Sequence, residues 1–424
     1  PFIRWAVGLL LTLAVALASA ASAAAPEGRW LRIGVERIAA GALEAEAVRV
    51  HAVARGEGAD PLSLRIEADR VALPAAGLAL ARVSWACERL VARQPLACAG
   101  PLRVEGRPAG TLDVELSESR TGIRWSQGRR RLDIDQSPTS DWRIAAARLP
   151  VAWLGGLAAS IWPDGRLSEG TLSGRLAIPM DAPGTRVDGD LRLDALAFDT
   201  PDGSLAGAGL SVPLRLRYVS SPAVAGQPAR TQVSVDARLV AGELLVSPIY
   251  LAVPAAGIAV AVSAESRPTG GWRVSRWAWR DADAVRAEGD ATLDADGALL
   301  ALRAEAESPD LSALRGRYLD GVLAPAGFAD LQLAGRGRGA IALDAEGLSA
   351  FTVDLRETVA VDPKGRFSMA GLGGDLRWSR DGPAVDSRLR WQAAALYGIG
   401  LGDGAFAFRS ADGQLALREP LRAA

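Results

Sequence analysis

The 424-residue chain has one histidine, His51, one lysine, Lys364, and no asparagine. A single histidine excludes a multi-histidine metal centre, and its place in the alternating stretch Val48-Arg-Val-His-Ala-Val53 reads as an ordinary strand position. No G-x-S-x-G elbow or Walker A sequence is present, and Lys364 sits in a Pro-Lys-Gly turn. The formal net charge is -1, with arginine, aspartate and glutamate interspersed along the chain, so there is no basic face for nucleic acid and no acidic tail. Aromatic residues make up 5%, too few for the two interfacial girdles of an outer-membrane barrel, and the alternating runs are shorter than the roughly 10 residues a membrane strand needs. The alanine richness that accompanies the scarcity of lysine and asparagine reads as coding bias rather than as helix propensity.

What is present in quantity is hydrophobic side chain, 49% of the chain, enough for a sizeable core. It is distributed with period two, as in Leu62-Ser-Leu-Arg-Ile-Glu-Ala-Asp69, Leu112-Asp-Val-Glu-Leu116, Leu132-Asp-Ile-Asp135, Asp190-Leu-Arg-Leu193 and Leu214-Arg-Leu-Arg-Tyr218. Period two predicts strands with one wet face. Turn signals recur every 8 to 14 residues or so, at Pro74-Ala-Ala-Gly77, Pro201-Asp-Gly203, Asp294-Ala-Asp-Gly297, Asp362-Pro-Lys-Gly365 and Asp412-Gly413, and Ser220 to Arg230 reads as a longer loop. An antiparallel meander follows, interrupted by two helix-like segments: Val151 to Trp162, apolar all round, and Asp310 to Leu323. In the second, Asp310 is a candidate cap and Leu311, Leu314, Tyr318 and Val322 fall near one face.

The chain also repeats itself, the stretch Leu149 to Leu239 returning as Leu311 to Leu389. Ser173-Gly174-Arg175 matches Ala334-Gly335-Arg336, and Asp190-Leu191-Arg192 matches Asp354-Leu355-Arg356. The turn from Asp199 to Gly203 matches that from Asp362 to Gly365, Ala208-Gly209-Leu210 matches Ala370-Gly371-Leu372, and Val235 to Leu239 matches Val385 to Leu389. Repeats of this size stack and share one apolar layer. The expected organisation is an N-terminal segment 1–25, a β region 26–145, a first helix-plus-strands repeat 146–308 and a shorter second one 309–424.

Arg4 followed by the uncharged run Trp5 to Ala25, with Ala18-Ser-Ala20 and Ala21-Ser-Ala23, has the features of a bacterial export signal, and at about 20 residues it is also long enough to be an uncleaved anchor. Export predicts a periplasmic chain. Cys87 and Cys98, in a Trp-Ala-Cys strand and a Leu-Ala-Cys strand either side of the polar turn Glu88-Arg89 to Gln94-Pro95, then read as a disulfide that pins the register of a hairpin.

The order of a Leu149-Pro-x-x-Trp153-Leu154 helix, Gly170-Thr-Leu-Ser-Gly-Arg-Leu176, and strands carrying Phe198-x-x-Pro-Asp-Gly203 resembles the AsmA-like envelope proteins of the YdbH and TamB type. The likeness runs over 145 to 424, with weaker echoes in 60 to 125. It implies an exported or anchored protein whose antiparallel sheet curls into a long open trough with an apolar interior, a part in moving phospholipid between the two membranes, and so in outer-membrane biogenesis. The chain is short for that group, and its second repeat stops soon after Leu389.

The fold class expected is therefore mostly β, a long antiparallel meander curled into an elongated open trough with two short helices. A sheet of this length has an apolar face that two helices cannot cover, which leaves a second sheet, the same sheet folded over, or a hydrocarbon ligand. The leading expectation is binding or transfer of phospholipid or another acyl lipid in the cell envelope, at membranes and alongside other envelope proteins. It involves no catalysis, metal or cofactor, and Leu191, Leu193, Leu214, Leu216, Val353 and Leu355 line the trough. The alternative is a non-enzymatic envelope scaffold with a self-closed β core that pairs by an edge strand. A third reading, a carbohydrate-acting enzyme, would need a pair of carboxylates converging in a cleft, which the sequence neither shows nor excludes. Trp277 and Trp279, two apart on a strand, share a face suited to core packing, to sugar stacking or to covering lipid tails. Gly335-Arg-Gly-Arg-Gly-Ala340 has the spacing of a dinucleotide loop but is followed by a strand pattern. Asp281, Asp283, Asp294 and Asp296 have the look of a calcium site, although Asp294-Ala-Asp-Gly297 reads more simply as a hairpin turn.

Overall fold

The computed structural model describes residues 29–40, 43–54, 62–74, 77–91, 95–118, 120–136, 141–179, 184–224, 228–411 and 413–418. The proposed export segment lies outside them, as do parts of the inter-cysteine turn, of the Pro74–Gly77 turn, of the Ser220–Arg230 loop and of the Asp412-Gly413 turn. The chain divides into two compact units, Pro1–Ala182 with Val187–Asp199, and Pro183–Arg186 with Thr200–Ala424.

The strands of the first unit are β1 (Arg29–Ala40), β2 (Leu43–Ala54), β3 (Leu62–Leu73), β4 (Leu78–Leu90), β5 (Leu96–Val104), β6 (Arg107–Leu116), β7 (Thr121–Gln127), β8 (Arg130–Gln136), β9 (Trp142–Pro150), β10 (Arg166–Ile178) and β11 (Thr185–Asp199). Each pairs antiparallel with the next. The first helix, α1, stands between β9 and β10: a 3-10 turn, Val151–Leu154, runs into the α-helical Gly155–Ile161.

The second unit carries β12 (Leu205–Ser221), β13 (Arg230–Leu239), β14 (Ala241–Val246), β15 (Ile249–Ala252), β16 (Ile258–Ser266), β17 (Trp272–Asp281), β18 (Val285–Leu293), β19 (Leu299–Ser308), β20 (Gln332–Asp344), β21 (Gly347–Val361), β22 (Phe367–Ser379), β23 (Val385–Leu396), β24 (Ile399–Ala411) and β25 (Gln414–Leu417). The 17-residue β12 is matched along its length by β13 and β14, which in turn pair with β16 and β15. From β16 to β25 every strand pairs antiparallel with its successor. The second helix, α2, follows β19 as Leu311–Leu314, a π-helical Arg315–Leu319, and Asp320–Leu323. Its cap is the expected one, the Asp310 carboxylate accepting from the Ser312 N–H at 2.8 Å.

The protein is thus an all-β, antiparallel meander with two short helices. Among the described residues no pairing joins β1 to β11 or β12 to β25, so neither unit closes into a barrel. One expectation is corrected: several strands are longer than ten residues, β11 and β21 having 15 each and β12 17. The period-two runs look shorter in sequence because strands change phase partway along. In β1 the apolar positions pass from Val35 to Ile38, in β2 from Val48 to Ala45, and in β3 from Ala68 to Val71. All six belong to one core, and charged pairs stand between them on β1 (Glu36-Arg37) and β3 (Asp69-Arg70). The ladder register is the same on both sides of this line. A left-handed residue makes the switch possible, Ala47 (φ 50°) on β2 and Arg82 (φ 47°) on β4. In the second unit left-handed residues again stand mid-strand, at Gly209 (φ 61°), Glu357 (φ 51°), Gly371 (φ 63°) and Gly402 (φ 59°), here with a ladder that shifts register beside them as at a β-bulge.

These residues also re-register the repeat. Gly209 and Gly371 correspond as the sequence suggests, each preceding a buried leucine, Leu210 and Leu372. The turn hydrogen bonds agree too, Gly203 N–H to the Thr200 carbonyl and Gly365 N–H to the Asp362 carbonyl, both 2.9 Å. Gly335, however, corresponds to Gly170 rather than to Gly174. A Cβ on Gly170 would press on the Ala195 carbonyl and Leu196, and one on Gly335 on the Glu357 carbonyl and Thr358, with Ala195 and Glu357 both at φ 51°. The shared pattern is Gly170-x-x-x-Gly174 with Gly335-x-x-x-Gly339.

In the first unit the apolar face holds a core that includes Val48, Val50, Leu64, Trp85 and Val114 together with Cys87 (1% exposed) and Cys98 (4%). Those cysteines form the expected disulfide, with Cα atoms 5.8 Å apart. It spans an irregular part of the β4–β5 ladder, between the Trp85–Leu102 pair and the Val91–Ala97 bridge. Helix α1 packs at one rim of this face: Trp153 stands 5.0 Å from Trp125, Val151 is 1% exposed, and a Cβ on Gly77 in the β3–β4 turn would fall 2.2 Å from the Gly156 Cα.

Candidate functional site

Residues directly opposite on neighbouring strands share a face, so the pairings trace what the apolar face of the second unit presents. One row runs Trp277, Gly289, Ala304, Ile341, Phe351 and Trp378 from β17 to β22. The next runs Trp279, Ala287, Ala306, Gly339, Val353 and Leu376, and a third Ser308, Gly337, Leu355 and Gly374. Small residues therefore pave β18 and β19 and the lower part of β20, between a wall of Trp277 and Trp279 and a wall of Phe351, Val353 and Leu355. The result is an apolar furrow along the strands. A cavity of about 430 Å³ is lined by Gly289, Ala304, Ile341 and Phe351 together with their chain neighbours, among them Glu288, Asp290, Arg303 and Glu305 of the opposite face, and Ile341 is 42% exposed. Phe351 is held by stacking on Trp378, ring centroids 5.8 Å apart.

Helix α2 stops one end of the furrow. A Cβ on Gly337 would stand 3.1 Å from a Leu311 methyl and 3.6 Å from one of Leu355, so a larger residue there would push Leu311 out by a few tenths of an ångström. The helix is anchored by a polar cluster at the end of β17. Asp281, 1% exposed, accepts from Arg317 Nη1 at 2.6 Å and from the Tyr318 hydroxyl at 3.0 Å, and Trp279 Nε1 donates to that hydroxyl at 2.9 Å. Burial pushes the Tyr318 phenol well above its ordinary range, and the neighbouring Asp281 charge adds to the rise. A carboxylate this deep is tolerable only because a cation and a hydroxyl satisfy it. The π-helical turn at Arg315–Leu319 brings Arg317 and Tyr318 to the same carboxylate. It also turns Val322 out to 49% exposure, away from the face the sequence assigns it.

The opposite face is a ladder of exposed ion pairs, Arg276 with Glu288 (3.3 Å), Arg338 with Glu305 (3.0 Å) and Arg336 with Glu357 (3.3 Å). Such pairs orient a face more than they stabilise it.

Each expected lining residue is half-buried, while its neighbours Arg192, Arg215, Arg217 and Arg356 are exposed. Leu191 and Leu193 face Gly174 and Leu172 on β10 in the first unit. In the second, Leu214 and Leu216 face Ala237 and Val235 on β13. Val353 and Leu355 belong to the furrow wall, and Leu355 also packs on the Leu372, Trp391 and Ala394 core. The residues sequence reasoning missed are those of the floor, because Ala287, Gly289, Ala304, Ala306 and Gly339 carry no apolar bulk to announce them.

The remaining candidates resolve into structure. His51 accepts from Arg32 Nε at 3.2 Å on the wet face. Gly335 to Ala340 lies within β20. The Asp294 carboxylate accepts from the N–H groups of Asp296 (3.0 Å) and Ala298 (2.8 Å), as a turn aspartate does. Among the described residues no three His, Cys, Asp or Glu side chains group to hold a metal, and no helix is long and apolar enough to cross a membrane. No protein-family model, curated protein or solved structure matches the chain.

Proposed function

We propose that the protein binds or carries acyl lipid in the bacterial cell envelope, without catalysis, the hydrocarbon lying along the apolar face of its meander as in an open trough. The observation that carries this reading is the furrow on β18–β20: its floor is backbone, glycine and alanine, its walls are tryptophan, phenylalanine and branched aliphatics, and Ile341 within it is 42% exposed. Apart from Ser308 at one end, the floor carries no polar side chain, so the groove selects for apolar area rather than for a functional group, and each methylene buried there contributes roughly 0.8 kcal/mol. The likeness to AsmA-like envelope proteins and the export-type N-terminal sequence point the same way, toward a periplasmic or inner-membrane-anchored carrier of phospholipid.

The test is native mass spectrometry with lipid extraction on the protein purified from a bacterial periplasm. Phospholipid bound at defined stoichiometry is the expected result. A stable, lipid-free protein would defeat the carrier reading in favour of a scaffold that covers its own apolar face.

A further inference from the structure

The β23–β24 turn breaks two rules of turn chemistry at once. Its central residues Tyr397 and Gly398 have φ 49° and 80°, the left-handed pair of a two-residue hairpin, a position that favours asparagine, aspartate or glycine. Here the first is an aromatic residue 73% exposed, flanked by Leu396 at 49% and Ile399 at 68%. The tip therefore points an apolar cluster at solvent from a strained backbone, with no packing gain inside the fold to offset it, a combination typical of function rather than of folding.

The surroundings indicate what the tip meets. The Tyr397 N–H donates to the Arg366 carbonyl at 2.9 Å, which sets the tip beside the β21–β22 turn. That turn presents Lys364, the only lysine in the chain, exposed and with no carboxylate partner among the described residues, since the nearby Asp362 carboxylate is taken by Arg366. Along the same edge, Val246, Tyr250 and Val322 are also 47% to 55% exposed. Projecting aliphatic and tyrosyl side chains beside a lysine with no carboxylate partner among the described residues suit the interfacial zone of an anionic bilayer, where a ring with a polar end is favoured and a nearby ammonium is attracted to lipid phosphates. A projecting hairpin tip offers much less area than the roughly 800 Å² per partner of a stable protein interface.

We propose that this edge of the second unit docks on an anionic phospholipid bilayer, Leu396, Tyr397 and Ile399 entering the interface and Lys364 meeting the headgroup phosphates. The inference goes beyond the carrier reading and does not depend on it, because a protein that carries no lipid would dock in the same way.

Both cysteines are in the disulfide, so Ile399→Cys in the full chain adds the one free thiol, to be labelled with the environment-sensitive fluorophore NBD. The control label goes at Asp381→Cys, in the β22–β23 turn at the opposite edge. With phosphatidylethanolamine/phosphatidylglycerol vesicles (3:1) the label at 399 is expected to shift to the blue and to be quenched by brominated acyl chains, while the label at 381 does neither. Tyr397→Asn, in the Ile399→Cys background, is expected to abolish the shift with no fall in melting temperature, because asparagine suits the left-handed turn. Lys364→Glu and pure phosphatidylcholine vesicles are each expected to weaken it. A label at 399 that stays in water, equal shifts at 399 and 381, or a shift indifferent to Tyr397→Asn would overturn the proposal. Any of these leaves the lipid-extraction result, and so the carrier reading, untouched.

Discussion

Arg317 Nη1 lies 2.6 Å from the carboxylate of Asp281, although 36 residues separate them and Asp281 is almost wholly buried. The pair ties α2 to the end of β17 and so keeps Leu311 seated on Gly337. Removing Arg317 leaves the Asp281 charge buried with no cation, a loss of about 3–5 kcal/mol, whereas Arg317 is 28% exposed and keeps Asp283 at 3.8 Å when Asp281 is removed. Arg317→Met is therefore expected to destabilise the second unit by about 3–5 kcal/mol in urea titrations, and Asp281→Leu by less. The double variant should cost clearly less than the sum, and additive losses would mean that the two side chains do not act as a pair.

The disulfide makes a separate prediction. Cys87 and Cys98 close a loop of 11-residue separation across an irregular stretch of ladder, and in the chain-entropy description such a loop contributes about 3 kcal/mol. Replacing both by alanine is expected to lower the melting temperature of the first unit and to leave that of the second unchanged, as two transitions in calorimetry would report.

The strands, their one-sided polarity, the hairpin disulfide and the Asp310 cap were legible because each is a local pattern, written in residues two to a dozen apart. Two other features were not. A phase switch such as that at Arg356-Glu357 looks in sequence like the end of a strand, since two charged neighbours interrupt the alternation; only the pairing of β20 with β21 that resumes on both sides of a bulge reveals one long strand. The furrow was invisible for a different reason: large residues advertise a core, whereas a groove is made by the absence of side chains at Gly289, Ala304, Ala306 and Gly339. The α2 face was misjudged at Val322 because a regular 3.6-residue period cannot anticipate a π-helical turn.

The switch positions can be tested by exchanging their glycines. Glu357 is held at φ 51° with its side chain exposed, so Glu357→Gly relieves backbone strain and is expected to stabilise the second unit, by up to about 1 kcal/mol. Gly371→Ala is expected to do the opposite. It adds a Cβ at φ 63° within 2.6 Å of the Gln392 side chain, and a loss of about 1–2 kcal/mol follows. Equal signs for the two substitutions in chemical denaturation would refute the assignment of these residues as phase switches.

Stability is expected to fall in acid, with a sign set by three carboxylates. Arg120 holds Asp135 below its ordinary value through two hydrogen bonds, Nε at 2.9 Å and Nη2 at 2.7 Å; Arg230 does the same for Glu265, and Arg366 for Asp362. A carboxylate whose folded pKa is depressed contributes stability that is fully present above its unfolded value, about 4, and that is lost as pH falls through the lower folded value. Melting temperature should therefore be level from pH 7 to about pH 5 and decline below about pH 4. Arg120→Gln should shallow the decline of the first unit, and Asp362→Asn that of the second.

The furrow itself can be filled without adding charge. Ala304 lies half-buried on its floor between Gly289 and Ile341. Ala304→Phe places a phenyl ring where an acyl chain would lie and extends the aromatic row of Phe351 and Trp378, so the fold is expected to keep its melting temperature within a few degrees. Lipid recovered per protein should then fall at least several-fold. An aspartate at Leu193 or Leu216 is expected to lower loading too, but its burial cost would also unfold an ordinary core, so the result counts only if circular dichroism shows a native spectrum. Ala304→Phe separates the two causes: full lipid content in a folded variant would remove the furrow from consideration as the lipid seat, whereas loss of lipid from an equally stable protein ties binding to this one stretch of β18–β21.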